Sequence, residues 1–152
     1  MKRVIKAIVC IIIQLLLTFE FGIIVGKNKD RYIRRYKQYF KLMCKWEGVS
    51  NNELEAFFLS HSINTIGIYG KGEIGNILAK KLSSTKISVL FFVEKRKVCE
   101  SAGIPTYSIE ESLPIVDAII VTPFTEFEKI KVELEKKVDY KIISVEEALI
   151  NA

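Results

Sequence analysis

The glycine-rich segment GKGEIG at residues 70–75 places the strictest limit on how this 152-residue chain can fold. It follows a β-prone run at residues 65–69 and leads into a helical pattern over residues 73–82. In such a strand–turn–helix unit the first glycine permits a tight turn and the second lets a phosphate approach the backbone. The third lets the helix pack on the strand. We therefore predict a turn that holds a nucleotide phosphate through Gly70, Lys71, Gly72, Glu73, Ile74 and Gly75.

A simpler interpretation of the same segment is that its glycines only permit close packing of a helix on a strand. The residue that ends the next apolar run helps to decide between these two interpretations of the glycine segment. That run covers residues 87–93 and stops at Glu94, which is 24 residues after Gly70. A carboxylate at the end of the second strand is placed to accept a hydrogen bond from a ribose 2′-OH. We therefore predict Glu94 as a binding residue that favours NAD or a nucleotide-sugar over NADP.

Two alternatives for Glu94 stay open. The side chain could be a solvated strand end, or the bases Lys95, Arg96 and Lys97 that follow it could bridge to a 2′-phosphate and reverse the preference. We favour the ribose role, because the residue that ends the strand points at the ribose while those after it turn away into solvent.

The rest of the C-terminal part predicts an α/β domain with a small Rossmann-like parallel sheet of about five strands. Further strands are expected at residues 104–107, 116–121 and 140–145. Helical segments are expected at three places. They are a short turn after the second strand, residues 109–113, and the segment that follows the capping-box spacing of Thr125 and Glu128. The expected strand order is 3-2-1-4-5, with ligand at the switch between strands 1 and 4. Thr122 and Pro123 are expected to line that crevice.

An apolar segment near the N-terminus predicts a transmembrane helix at residues 7–26, after a short tail at residues 1–6. Residues 7–25 contain no Lys or Arg, and a helix of this length matches the hydrocarbon thickness of a bilayer. Gln14 and Glu20 weaken the pattern. A cleaved signal peptide is the alternative, but no A-x-A-like cleavage site follows. Lysines and arginines are fewer before the segment than after it, so we expect the C-terminal domain in the cytoplasm.

Residues 27–61 predict a basic helical connector. Aromatic and apolar residues recur there at helical spacing, and six bases occupy the other face. The apolar stripe could pack on the globular domain or on a second copy, or it could lie on anionic lipid. Ser50 and Glu53 have the spacing of a capping box that starts a short helix through Leu59. The nucleotide-binding domain is then expected at residues 62–152.

The charge distribution argues against a nucleic-acid partner. Residues 1–61 carry 11 Lys/Arg and 5 Asp/Glu, whereas residues 62–152 carry 12 and 13. The expected folded domain is therefore nearly neutral, whereas a nucleic-acid-binding domain carries a basic patch. Cys10, Cys44 and Cys99 are widely spaced, and His61 has no nearby ligand residues. We predict no metal, disulfide framework or nucleic acid.

Several phrases from residue 63 to the end resemble known families. They are TIGIYGKGEIG at residues 65–75, GIPTYS at 103–108, VDAIIVTP at 116–123 and IISVEEA at 142–148. They are similar to the Rossmann-like N-terminal parts of nucleoside-diphosphate-sugar epimerase/dehydratase relatives and of sugar O-acyltransferases. The whole chain resembles small membrane-anchored proteins, mostly from Firmicutes, that are associated with surface polysaccharide synthesis. The resemblance implies a nucleotide or nucleotide-sugar as the ligand.

The sequence departs from the enzymes in these families. No tyrosine is followed four residues later by the lysine of a Tyr-x-x-x-Lys pair, and the hexapeptide repeats of the acyltransferases are missing from these 152 residues. We therefore expect a membrane-tethered binding or regulatory module rather than an enzyme. One alternative is an NAD-dependent nucleotide-sugar enzyme that a homodimer or partner completes. Another is a structural anchor that recruits a glycosyltransferase.

Overall fold

The computed structural model describes residue 26 and residues 28–95 and 103–152. The chain divides into two compact units, Met1–Lys41 and Leu42–Ala152. Helix α1 covers residues 28–48. The remaining helices are α2 (Asn51–Ser60), α3 (Glu73–Leu82), α4 (Phe127–Glu135) and α5 (Val145–Asn151). The strands are β1 (Thr65–Tyr69), β2 (Ser88–Glu94), β3 (Thr106–Ser108), β4 (Ala118–Val121) and β5 (Lys141–Ser144).

The five strands form one parallel sheet in the order β3-β2-β1-β4-β5. This confirms the predicted α/β class, strand number and strand order. Strand β1 is central and pairs with β2 on one side and β4 on the other. Its carboxyl end therefore lies in the middle of the sheet edge, where the strand order reverses and ligands of open α/β sheets bind.

The core occupies both faces of the sheet. One cluster joins α2, α3 and α5 to residues such as Ile66 and Ile68, and the other joins α4 to residues such as Phe91 and Ile119. All four residues of β4 are buried, as expected for a strand covered on both faces. Because β1 alternates between the two clusters, Ile68 faces α3 while Tyr69 faces the side of α4.

Two sequence predictions about local structure were wrong. Residues 109–113 do not form a helix. The Ser108 N–H donates to the Glu111 carboxylate and the Glu111 N–H donates to the Ser108 carbonyl, which closes an isolated turn. Pro114 also disfavours the helical conformation for Leu113. The second prediction concerned the start of α4, where a 3-10 turn at Phe124–Glu126 replaces the expected Thr125 cap. The capping box of Ser50 and Glu53 is confirmed at the start of α2.

The N-terminal predictions fall mostly outside the described residues. The expected transmembrane segment at residues 7–26 lies outside the described residues apart from Gly26. The short helix expected after β2 also lies outside the described residues. Within the described residues no helix has both the length and the apolar character needed to cross a bilayer. The apolar stripe of α1 is exposed at Tyr32, Tyr36 and Phe40, whereas Leu42 and Trp46 are buried in the core of Leu42–Ala152.

Lys81, a residue of α3, contacts the C-terminal end of α1. Its ammonium group donates hydrogen bonds to the carbonyl oxygens of Trp46, at 3.0 Å, and Val49. It also lies 5.6 Å from the centre of the Trp46 ring. Carbonyl groups at a helix end lack partners inside the helix, and a cation satisfies them well. Lys81 therefore holds a hydrophobic anchor, Trp46, against the domain.

Replacing Lys81 with methionine is expected to lower the free energy of unfolding by about 2 kcal/mol. The methionine keeps the apolar stem but leaves two carbonyl groups without their charged donor. Chemical denaturation of the full chain, followed by circular dichroism, measures the change. Lys80→Met is the control, because Lys80 is exposed on the same helix. Equal effects of the two substitutions would contradict the role of Lys81.

Candidate functional site

The glycine turn at residues 70–75 joins β1 to α3 at the centre of the sheet edge. Gly70 has φ +100°, and an added Cβ there would lie 2.4 Å from the Thr122 hydroxyl oxygen. An added Cβ at Gly75 would lie 2.0 Å from the Gly70 carbonyl oxygen. Both positions therefore require glycine for folding alone, one for the turn and the other for packing the helix on the strand.

Gly72 differs from these two glycines. It is the N-cap residue of α3 with φ −71°, a conformation open to any residue, and an added Cβ would meet no atom within 4 Å. No side chain caps the helix at this position. The backbone at Gly72 is exposed, so that the N-terminus of α3 can be approached from solvent. A bare backbone at a helix N-terminus suits an anion, since amide donors and the helix dipole both favour negative charge there.

Thr122 forms hydrogen bonds with the end of β1 and the start of the turn. Its hydroxyl group is buried and donates to the carbonyl oxygens of Tyr69, at 2.9 Å, and Gly70, at 3.2 Å. The backbone N–H of Thr122 also donates to the Tyr69 carbonyl. Thr122 therefore fixes the path of the chain at the end of β1, while Pro123 beside it lines an open cavity.

Glu94, the last residue of β2, lies against the turn. Its carboxylate accepts a hydrogen bond from the backbone N–H of Lys71. The Lys71 ammonium group donates to the Thr106 hydroxyl at 3.0 Å and lies 5.7 Å from the centre of the Phe92 ring. The backbone N–H of Lys71 is occupied by its bond to Glu94, whereas the Glu94 carboxylate keeps lone pairs that can accept from a ribose hydroxyl group at the strand ends. Of the three bases after Glu94, Lys95 is exposed, and Arg96 and Lys97 lie outside the described residues.

A cavity of about 170 Å³ opens beside the turn, on the α4 face of the sheet. The strand ends contribute Tyr69, Gly70, Glu94 and Pro123, and α4 and the turn before it contribute Glu126, Ile130 and Glu133. Lys95 and Lys129 also line it, and both are exposed. The cavity therefore places carboxylate acceptors and one phenol next to the expected ribose position.

Tyr69 is the most enclosed polar side chain of this cavity, with 6% of its surface exposed. Burial raises the pKa of its hydroxyl group, and the negative charges of Glu133, Glu94 and Glu126 raise that pKa further. Both causes disfavour a phenolate. Tyr69 therefore keeps its proton near neutral pH and is suited to donate a hydrogen bond rather than to act as a base.

Sequence reasoning brought together the glycine turn, Glu94 and Pro123, but it missed Tyr69 and the residues of α4. Two signals were available. Tyr69 follows Ile68 in β1, so strand alternation directs it to the opposite face. Glu126, Ile130 and Glu133 are spaced by four and three residues, which places them on one side of a helix. Neither pattern shows at the end of which strand these side chains lie.

His61 and Cys44, the remaining candidate residues that the structure describes, do not form a metal site. His61 ends α2, where its Nδ1 atom lies 2.8 Å from the Phe57 carbonyl oxygen and its ring packs on Phe57. Cys44 is an exposed free thiol, and Cys10 and Cys99 lie outside the described residues. No group of three His, Cys, Asp or Glu side chains that could hold a metal ion occurs in the part of the chain that the structure describes.

Comparisons with known proteins identify no relative. No protein-family model matches the chain, and no curated protein or solved structure matches it. The class of the domain is therefore defined by its own topology. It is an α/β domain with a five-stranded parallel sheet and a glycine turn at the strand-order switch, consistent with a Rossmann-like architecture.

Proposed function

We propose that the chain is a membrane-tethered module that binds a nucleotide or nucleotide-sugar at the turn of residues 70–75. The observation that carries the proposal is Gly72. Folding accounts for glycine at positions 70 and 75, because a Cβ there would clash, but nothing in the described structure requires glycine at position 72. A phosphate that approaches the backbone at the start of α3 supplies the missing reason.

The other groups at the sheet edge fit the remaining parts of a nucleotide. The N-terminus of α3, from Gly72 to Ile74, receives the phosphate. Glu94, whose carboxylate also accepts from the Lys71 N–H, lies where a ribose hydroxyl group can donate a hydrogen bond to it. Pro123 and Ile130 contribute apolar surface to the cavity beside the ribose position, and a nucleobase is proposed to lie against them.

The role in the cell that we propose rests on the resemblance to small anchored proteins of surface polysaccharide synthesis. A binding or regulatory module that senses a nucleotide-sugar near membrane enzymes needs no catalytic residues of its own. This agrees with the sequence, in which no Tyr-x-x-x-Lys pair occurs. NAD, NADP, UDP-sugars and ATP are the ligands to test by calorimetry on the full chain in detergent micelles. Binding of at least one is expected, and binding of none would favour a purely structural anchor.

Glu94 is expected to set the preference between two of these ligands. In the wild-type chain NAD should bind about tenfold more tightly than NADP, because a 2′-phosphate would face the Glu94 carboxylate. Glu94→Gln removes that negative charge and should bring the two dissociation constants within about threefold. Side-by-side titrations of both proteins measure the ratio. Tighter NADP binding by the wild type, or an unchanged ratio in the variant, would remove Glu94 from the site.

We further propose that residues 7–26 span the membrane with the C-terminal domain in the cytoplasm. Eight Lys/Arg residues lie between positions 27 and 45, and three precede position 7. By the positive-inside rule the richer flank stays in the cytoplasm. A reporter enzyme fused after Ala152 tests the orientation. A reporter active only inside the cell is expected, and activity only outside would show the opposite topology.

A further inference from the structure

Residues 31–41 of α1 leave an apolar face open to solvent. Five aromatic or branched side chains form this face, and all are exposed: Tyr32, Ile33, Tyr36, Tyr39 and Phe40. Tyr32 and Tyr36 have 72% and 73% of their surface exposed, and Phe40 has 61%. With 3.6 residues per turn, the five side chains fall within an arc of about 120° on one side of the helix. A contiguous exposed apolar face of this kind marks a surface that binds a protein or a membrane.

The other side of the same segment is basic. Residues 31–41 contain five Lys/Arg and no Asp/Glu, and the bases are Arg31, Arg34, Arg35, Lys37 and Lys41. Arg35 and Lys37 border the apolar arc on its two sides. This is the arrangement of helices that lie on a bilayer surface, where aromatic rings enter the interface and long basic side chains reach the headgroups. Tyrosine suits such a face, because its ring is apolar and its hydroxyl group stays in water.

A second copy of the chain fits this face less well than anionic lipid does. Tyr32, Tyr36 and Tyr39 have the alternating spacing of four and three residues that coiled coils use. Met43 and Trp46 continue this spacing, but both pack in the core of the domain. The three positions that are left cover about one heptad, whereas coiled coils extend over three or more. A partner copy would also bring five further bases to the contact, whereas an anionic bilayer brings opposite charge.

We propose that residues 31–41 of α1 bind the surface of a bilayer that contains anionic lipid. The aromatic side chains lie among the headgroups, and the bases contact the negative charges there. The inference rests on the proposed attachment to a membrane and adds a second contact, with the bilayer surface. Because five positive charges contribute, the contact depends on the content of anionic lipid and weakens at high salt.

The test compares the membrane contact of two tryptophans introduced separately into the full chain, Tyr36→Trp and Gln38→Trp. Residue 38 lies about 200° further around the helix, on the basic side, so that Gln38→Trp is the matched control. Both chains are reconstituted in vesicles of phosphatidylcholine and phosphatidylglycerol whose acyl chains carry bromine near the headgroup, which quenches tryptophan. After subtraction of the wild-type signal from Trp46, Tyr36→Trp should be quenched at least about threefold more strongly than Gln38→Trp.

Charge reversal tests the lipid chemistry. In the Tyr36→Trp chain, Arg34→Glu should reduce the quenching by about half or more, and vesicles of phosphatidylcholine alone should reduce it similarly. Lys86→Glu makes the same change of charge and is the control, because Lys86 is an exposed base in the other unit, Leu42–Ala152. Equal losses from the two substitutions, or quenching that does not depend on phosphatidylglycerol, would overturn the role of anionic lipid.

The outcomes separate this inference from the proposed membrane attachment. Equal quenching of the two tryptophans, in a chain that floats with the vesicles, would overturn the inference while the attachment still stands. Weaker quenching at position 36 than at position 38 would also overturn it and would indicate that a protein surface covers the aromatic face. A chain that is folded by circular dichroism but does not float with the vesicles would contradict the attachment together with the inference.

Discussion

Gly75→Ala is expected to lower the free energy of unfolding by about 4 kcal/mol or more. A single methyl group at this position would lie 2.0 Å from the Gly70 carbonyl oxygen, which is backbone and cannot move aside without opening the turn. The substitution therefore forces α3 away from β1, and Ile74 and Leu78 lose part of their packing on the sheet. Chemical denaturation of the full chain, followed by circular dichroism, measures the loss.

Gly72→Ala is the matched control for this prediction. The same methyl group is added within the same turn, but it enters open space at an ordinary backbone conformation. We expect a change of less than about 1 kcal/mol, the usual range when a helix N-cap glycine is replaced. Similar losses in the two variants would mean that the close contact between Gly75 and Gly70 does not limit the fold.

Gly72→Val is expected to weaken nucleotide binding by roughly two orders of magnitude while the domain stays folded. The branched side chain would occupy the space next to the amides of Glu73 and Ile74, through which a phosphate reaches the end of α3. Calorimetry with the tightest-binding nucleotide measures the affinity, and circular dichroism shows that the fold persists. Unchanged affinity in a folded variant would place the ligand elsewhere on the molecule.

The sequence predicted the parts of the fold that follow from local patterns. Helix α3 has the predicted bounds of residues 73–82, and β1 has those of residues 65–69. The strand order followed from the βαβ context of the glycine turn, because parallel strands joined by helices have few possible arrangements. Gly70 and Gly75 have the turn and packing roles that their spacing indicates.

Features that depend on long-range contacts could not be predicted in the same way. Thr122 was expected to line the crevice, and in the structure its hydroxyl group donates to carbonyl groups 52 and 53 residues away in sequence. The cavity is lined by Tyr69 from β1 and by Glu133 from α4, a combination that neither local pattern specifies. The helix expected at residues 109–113 failed because side-chain hydrogen bonds of Ser108 and Glu111 close a turn there.

The central claim is that the turn of residues 70–75 holds a nucleotide phosphate, and amide chemical shifts test it most directly. The ¹⁵N-labelled full chain in micelles is titrated with the tightest-binding nucleotide of the panel. The account predicts that the largest shift changes occur at the amides of Gly72, Glu73 and Ile74, with a smaller change at Lys71, whose N–H contacts Glu94. The claim would be contradicted if no nucleotide changed the chemical shifts of these amides. It would also be contradicted if the largest changes occurred at other residues while the shifts of these four amides stayed constant.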